Sequence, residues 1–598
     1  MNNFKAPLRD IEFALFEVLG YTQHFSSYAP DLDEDLAKTL LRENARFCEE
    51  VLAPLSASGD SEGCKLVNGQ VITPTGFKQA YQQYCDAGWP TLARTPEFGG
   101  QGLPQSLGFV LNELAGTANY AWNMYPGLSQ GAMYTIETHG SATQKQTFLP
   151  PLISGEWTGT MCLTESHAGT DLGLLTTKAT PLGEGQYRLS GTKIFISSGD
   201  HDLATNIVHI VLARLPDAPS GTKGLSLFIV PKFQVNADGS PGERNNVNCG
   251  SLEHKMGIHG NATCVLNFDG AVGTLLGEEN KGLNLMFTFM NLARLGAAMQ
   301  GLAHGESGLH KSLEYTRQRL QMRSLNGIKN PDGVADPIIV HPDVRRMLLT
   351  QKALVEGMRM LTYFAAKRID IAQHETNPEL RQSANDMLGL LTPIAKGFMT
   401  EVGFESANLA LQCFGGHGYI KEWGVEQNVR DCRIASLYEG TTGIQALDLL
   451  GRKILLSNGQ ILATFTGCIQ RFCEESAEVE ELLPYIQSLS KLHNEWFELT
   501  ASIGKRAAKN PDEVGAASVD YLMYSGYILL AYFWARAAKV SLEAVATKSE
   551  EAAFYRAKLD TAKFYFERIL PRTLGLVVAI NSGADNTMSM RAEDFSFY

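Results

Sequence analysis

Residues 437–445 read Leu437-Tyr438-Glu439-Gly440-Thr441-Thr442-Gly443-Ile444-Gln445, a carboxylate set between an aromatic residue and a Gly-Thr turn, shortly after Arg430-Asp431. A carboxylate beside an unhindered backbone N–H combines two tasks. The side chain removes a proton, and the amide donates to the oxygen where negative charge collects. Alone, a Glu-Gly-Thr string is a weak signal. It gains meaning from three segments that precede it in order, 161–177, 191–199 and 412–419.

Around these segments the texture of the chain changes twice. Residues 1–34 form a short helical lead with Ile11, Leu15, Val18 and Leu19 on one face, and 35–158 continue as a helical domain. The loop Pro96-Glu97-Phe98-Gly99-Gly100-Gln101-Gly102-Leu103-Pro104 resembles a dinucleotide fingerprint only superficially. No strand leads into it, and Pro104 spoils the helix that should follow. From 159 to 280, short runs of β-formers at 187–189, 193–196, 206–213, 225–230 and 263–268 are separated by Gly and Pro turns. This predicts a compact, mostly antiparallel β-domain. The helical period then returns over 281–455, with helices expected at 283–304, 308–322, 344–373, 388–414 and 444–456. A further helical domain occupies 456–598, including helices at 474–483 and 554–570.

The bulk numbers exclude several classes. A chain of 598 residues exceeds a single core. With 44% hydrophobic and 19% charged residues it reads as an ordinary globular protein. A net charge of −13 gives no general attraction to nucleic acid or anionic membrane. The ten cysteines contain no Cys-x-x-Cys pair, which suits reduced thiols rather than disulfides or a zinc site, so no metal is expected. The N-terminus lacks an export-type apolar stretch, and Asp10, Glu12 and Glu17 argue against a transit peptide. The apolar run 521–535 is fifteen residues long, short of the ~20 that span a bilayer, and reads as a buried helix. A cytoplasmic location is expected.

Taken together, the motifs resemble those of the flavin-dependent acyl-CoA dehydrogenase family over residues 35–455, and the lead and appendix resemble those of its long bacterial branch. The resemblance implies an α+β multidomain fold: an N-terminal helical domain, a middle β-barrel-like domain, a C-terminal four-helix bundle and an extra helical domain. It also implies FAD as cofactor. In Met161-Cys162-Leu163-Thr164-Glu165-Ser166-His167-Ala168-Gly169-Thr170-Asp171, the stretch resembles the family's Leu-Thr-Glu…Gly-Ser-Asp signature, with Thr170 in the Ser place. Met161, Leu163 and Thr164 would then serve the flavin ring, while Gly169 and Thr170 let the chain approach phosphate or the CoA arm. A Thr/Asp-rich turn is the structural alternative.

Gly191-Thr192-Lys193-Ile194-Phe195-Ile196-Ser197 stands where the family has Trp-x-Thr, so Phe195 and Ser197 supply the aromatic wall and hydroxyl. Read plainly, Phe195 is a core residue of an edge strand. Tyr315-Thr316-Arg317-Gln318-Arg319-Leu320-Gln321-Met322 occupies the place of the family's Arg-x-Gln-Phe, with Met322 for Phe. There Arg319 would pair with the flavin pyrophosphate, beside Gln321 and Met322. In Gln412-Cys413-Phe414-Gly415-Gly416-His417-Gly418-Tyr419, the resemblance implies that Gln412, Gly415 and Gly416 reach a partner subunit's flavin, hence a homodimer. Locally the same glycines read as a helix C-terminus.

Arg294 is similar to the family's arginine that braces the substrate, and Ala293 occupies the position where some relatives carry their base. That leaves Glu439 as the catalytic base, with Gly440 against substrate and Thr441 and Gly443 against flavin. The implied reaction is α,β-dehydrogenation of a saturated acyl-CoA to a trans-2-enoyl-CoA in fatty acid β-oxidation, with electrons passed to an electron-transfer flavoprotein. Medium or long chains are favoured, and a methylthio-propionyl-CoA is the alternative substrate. An oxygen-using acyl-CoA oxidase shares the motifs. A DNA-associated flavoprotein of the alkylation-response type does so too, but it needs a basic appendix, and 456–598 carries 14 Lys+Arg against 18 Asp+Glu. No nucleic-acid partner and no integral membrane segment are expected.

Overall fold

A computed structural model describes residues 4–547 and 549–597. The chain forms two compact units, one of residues Thr39–Gly296 with 4–6, the other of Pro7–Lys38 with 297–597.

In the first unit, helices α1 (Gln105–Ala118), α2 (Tyr120–His139) and α3 (Ala142–Ser154) precede the strands of a seven-stranded sheet. Helix α3 starts on a reciprocal cap: the Ser141 hydroxyl accepts the Gln144 N–H, and the Gln144 side chain accepts the Ser141 N–H. The strands are β1 (Trp157–Cys162), β2 (Lys178–Gly183), β3 (Gln186–Ser197), β4 (Asn206–Arg214), β5 (Leu225–Pro231), β6 (Val247–Leu252) and β7 (Thr263–Leu275). Five of them close a ring in the order β7-β3-β2-β4-β5 and back to β7. Strand β6 adds to β7, and β1 runs parallel to β4. The result is a small barrel, antiparallel except at β1/β4 and the single β2/β4 contact. Strands β4 and β5 are buried along nearly their whole length, which explains why their sequences are largely apolar, broken inside the strands only by His209 and Ser226. Trp157, Val208, Ile210, Leu227, Met286 and Phe289 share one core with α2 and α3.

The second unit is helical. Helix α4 (Gly282–Gln318), in which the unit division falls, is followed by α5 (Pro342–His374), α6 (Pro378–Cys413), α7 (Glu426–Arg433) and the six-residue α8 (Thr442–Leu447). Asn377 caps α6 by accepting from Glu379 N–H and Leu380 N–H, with Pro378 in the first turn. The appendix supplies α9 (Gln460–Glu475), α10 (Leu483–Ala507), α11 (Asp512–Ala546), α12 (Ala552–Phe564) and α13 (Arg572–Asn581).

Three differences from the sequence reading have local causes. The stretches 283–304 and 308–322 are one helix, because Gly305 and Gly308 are not breaks: a Cβ on them would lie 3.0 Å from Val355 Cγ2 and 2.9 Å from Ala410 Cβ. That helix ends at Gln318 rather than 322, so Arg319, Gln321 and Met322 lie beyond it. Leu320 bridges Pro337, and Met322 takes φ 61°. The helix expected at 474–483 is absent. Helix α9 stops at Glu475 and α10 begins at Leu483 with Pro484 in its first turn, a place that suits a residue with no N–H.

The apolar run 521–535 lies inside α11. That helix is long and apolar enough to cross a membrane, yet 67% of its apolar window is buried in the protein. It packs backbone-close on its neighbours. A Cβ at Gly526 would collide with Phe398, one at Gly397 with Leu522, and Trp534 Nε1 donates to the Ala353 carbonyl at 2.9 Å. Within the same unit the lead docks on α5 and α12. Tyr21 OH donates to the Tyr363 carbonyl, His24 pairs with Asp370 at 2.8 Å, and Lys558 joins Asp10 to Glu356.

Candidate active site

Glu439 closes the loop between α7 and α8. It adopts φ 57° and Gly440 follows at φ 87°, so two successive residues are left-handed. For a non-glycine residue this costs about 1–3 kcal/mol and persists only where neighbours enforce it. Here they do. Gln445 Nε2 donates to the Glu439 carbonyl at 2.9 Å, and buried Lys396 donates to the Gly440 carbonyl at 2.5 Å. Thr441 caps α8 by accepting the Ile444 N–H, and Thr442 Oγ1 donates to Glu401 at 2.5 Å. On the upstream side, Tyr438 OH donates to Gln300 Oε1 at 2.5 Å, and Gln300 Nε2 donates to the Asp431 carbonyl at 2.9 Å. Glu439 is half-buried on this braced turn, with Gly443 half-buried one helical turn on.

In the first unit, the barrel carries further residues of the quoted motifs. Strand β1 delivers half-buried Met161, and the chain leaves it through Leu163 and Thr164. The segment is held by a pair that the sequence reading did not assign. Lys193 Nζ lies 2.9 Å from the Leu163 carbonyl and 2.9 Å from Glu165 Oε1, with both side chains buried. The Glu165 carboxylate also accepts from the amides and hydroxyls of Thr176 and Thr177. Burial pushes the Glu165 carboxyl up, but the Lys193 ammonium and these hydrogen bonds outweigh it and hold it at about 2. Gly169 and Thr170 are exposed on the turn that follows.

Phe195 is not core. The pairing of β3 with β7 slips between Lys193 and Ile196, and Phe195 sits in that bulge at φ 58° with 58% of its surface exposed. Ser197 is half-buried two residues on, opposite Thr263. Arg294 is buried on α4, its guanidinium 5.7 Å from the Phe287 ring.

In the helical unit, Arg319 and Gln321 are exposed, and Met322 is 76% exposed. They ride on a loop organised by buried Asp336, which accepts the amides of Ser324, Lys329 and Asn330. At the end of α6, Gln412, Gly415 and Gly416 are exposed, and neither glycine has any atom within 4 Å of where a Cβ would stand. Behind them Phe414 stacks on Tyr315 at 4.1 Å, and Tyr315 OH bonds His417 at 2.8 Å. Each unit by itself offers groups that suit a flavin dinucleotide: in the first, the exposed Phe195 ring; in the second, the exposed Arg319 guanidinium for a pyrophosphate and the Gly415 and Gly416 backbone open to close approach. Among the described residues no cluster of three or more His, Cys, Asp or Glu is placed to hold a metal.

Family models match the chain almost end to end: "Acyl-CoA dehydrogenase, N-terminal domain" over 35–156, the "middle domain" over 160–271, the "C-terminal domain" over 280–455, and "Acetyl-CoA dehydrogenase C-terminal like" over 465–591. The 3-methylmercaptopropionyl-CoA dehydrogenase of Ruegeria pomeroyi is 41% identical, covering 95% of this chain and 96% of its own. The broad-specificity linear acyl-CoA dehydrogenase FadE5 of Mycobacterium tuberculosis is 35% identical, covering 96% of both chains. The crystal structure of Caenorhabditis elegans ACDH-11 shares the fold, at TM-score 0.74 and 18% identity over 95% of this chain and 91% of that one. The chain belongs to the acyl-CoA dehydrogenase family and is an oxidoreductase acting on acyl-CoA.

Proposed function

We propose that the enzyme desaturates medium- or long-chain fatty acyl-CoA to trans-2-enoyl-CoA, as a cytoplasmic homodimer serving fatty acid β-oxidation, with Glu439 as the base. The observation that carries the assignment of Glu439 is its left-handed, multiply tied turn. A strained backbone enforced by Lys396, Gln445 and Thr442 fixes the direction of one carboxylate.

A thioester α-hydrogen is weakly acidic, so proton removal needs stabilisation of the enolate-like oxygen. Glu439 takes the α-proton, and its own backbone N–H donates to the thioester oxygen, a contribution of about 3–4 kcal/mol per such donor. FAD is the cofactor, and when bound it would supply a two-electron acceptor for the hydride of the β-carbon. Leu163, Thr164, Phe195 and Ser197 would hold and cover its ring, and Arg319 would take its pyrophosphate. Gln412, Gly415 and Gly416, exposed at the end of α6, serve the cofactor of a second copy. Arg294 and Thr170 brace the CoA ester.

The electron acceptor is an electron-transfer flavoprotein rather than oxygen. The relatives that cover the whole chain carry dehydrogenase names, which supports this reading. A second reading of the substrate, a methylthio-propionyl-CoA, is favoured by the 41% identity to the Ruegeria enzyme. A panel of saturated acyl-CoAs of graded length plus the methylthio ester, followed by anaerobic bleaching of the flavin, decides between them. Peroxide yield with and without an artificial acceptor tests the dehydrogenase reading.

A further inference from the structure

Helix α6 meets the Glu439 turn with two side chains five residues apart. Glu401 accepts from Thr442 Oγ1 on the downstream side, and Lys396 donates to the Gly440 carbonyl between Glu439 and the start of α8. Lys396 is completely buried. Taking an ammonium out of water is costly, and the charge makes its hydrogen bonds stronger than those of a neutral donor. Gly440 is the one residue of the turn with no side chain to anchor it, and at φ 87° it is the natural point for the backbone to swing. Its carbonyl is one handle on the turn, and the Glu439 carbonyl held by Gln445 is another.

We infer that Lys396 is a positioning residue for the dehydrogenation, anchoring the Gly440 carbonyl to α6 so that the Glu439 carboxylate keeps a single direction. The inference rests on Glu439 being the base. Without the ammonium, the peptide between Gly440 and Thr441 loses its tie to α6, and the side chain one residue earlier gains freedom with it. Helix α6 itself is fixed against α4, where a Cβ at Gly403 would lie 2.4 Å from the Gly301 Cα, so the anchor does not drift with the turn.

The test uses the holoenzyme in steady state with a saturated acyl-CoA. Lys396→Met is expected to lower kcat about 10²-fold, the scale of an ångström-level misplacement. KM should stay within about threefold, as for a loss confined to the chemical step. Flavin content stays that of the parent, the kinetic isotope effect with α-deuterated substrate rises, and Lys396→Arg regains part of kcat. Lys396→Gln, a second neutral replacement with a polar end, guards against a folding failure and should show the same fall in kcat at unchanged KM. Parental kcat in Lys396→Met or Lys396→Gln overturns the inference, as does a loss that appears only in KM. If Glu439→Gln is inactive while both lysine variants turn over normally, the base stands and the Lys396 role falls. If Glu439→Gln itself turns over normally, the base assignment fails first.

Discussion

The Lys193 ammonium lies 2.9 Å from the Glu165 carboxylate and the same distance from the Leu163 carbonyl, joining β3 to the segment that leaves β1. An ion pair buried this way is held for its geometry, because either charge alone is far more costly than the pair. The backbone of Leu163 and Thr164 is thereby fixed relative to Phe195, two residues beyond Lys193. Lys193→Met should cost about 3–5 kcal/mol, the scale of breaking a buried pair by removing one partner. Thermal unfolding and flavin content measured together check it, and both should fall.

Acid should act through the same pair. The Glu165 carboxyl is depressed from 4.5 to about 2, so in the folded state it stays ionised where the unfolded chain binds a proton. Its contribution to stability is present above pH 4.5 and is lost as pH falls from 4.5 toward 2. Denaturant melts across that window should show a smaller pH dependence in Glu165→Gln than in the parent.

Phe195 is exposed in its bulge and contributes little to a core. Phe195→Ala should leave stability within about 0.5 kcal/mol, as for other exposed positions. If the ring covers the flavin, stopped-flow mixing of the reduced variant with oxygen should show faster re-oxidation than in the parent.

Gly403 and Gly301 bring α6 and α4 into backbone contact, with 2.4 Å from a Gly403 Cβ to the Gly301 Cα. Gly403→Ala should therefore destabilise by about 1–3 kcal/mol, the usual result of overfilling a packed interior. A lower denaturation midpoint at unchanged slope would show it.

The legible parts of the sequence were those with local physics. Strands β4 and β5 announce themselves as largely apolar runs, whereas α6 begins at Asn377-Pro378, ten residues before the start at 388 that the helical period suggests. Gly305 and Gly308 were opaque because a helical glycine reads as a break unless the neighbouring helix that needs its missing Cβ is known. The bulge at Phe195 was equally hidden. Alternation along β3 puts the ring inside, and only the slipped register against β7 turns it out. Glu439 stood out through its motif, but the ties that set its turn come from Gln300 and Lys396, which lie 139 and 43 residues away in a chain numbered 1–598. Lys193 sat in plain view inside a quoted motif. Its role depends on a partner carboxylate that a strand pattern does not identify.

Whether the Glu439 carboxylate removes the substrate α-proton is read from anaerobic mixing of Glu439→Gln holoenzyme with a saturated acyl-CoA. With Glu439 as the base, the flavin is bound normally and its absorbance bleaches at least about 10²–10⁴-fold more slowly than in the parent, the range for losing a general base. Bleaching at the parental rate would contradict it.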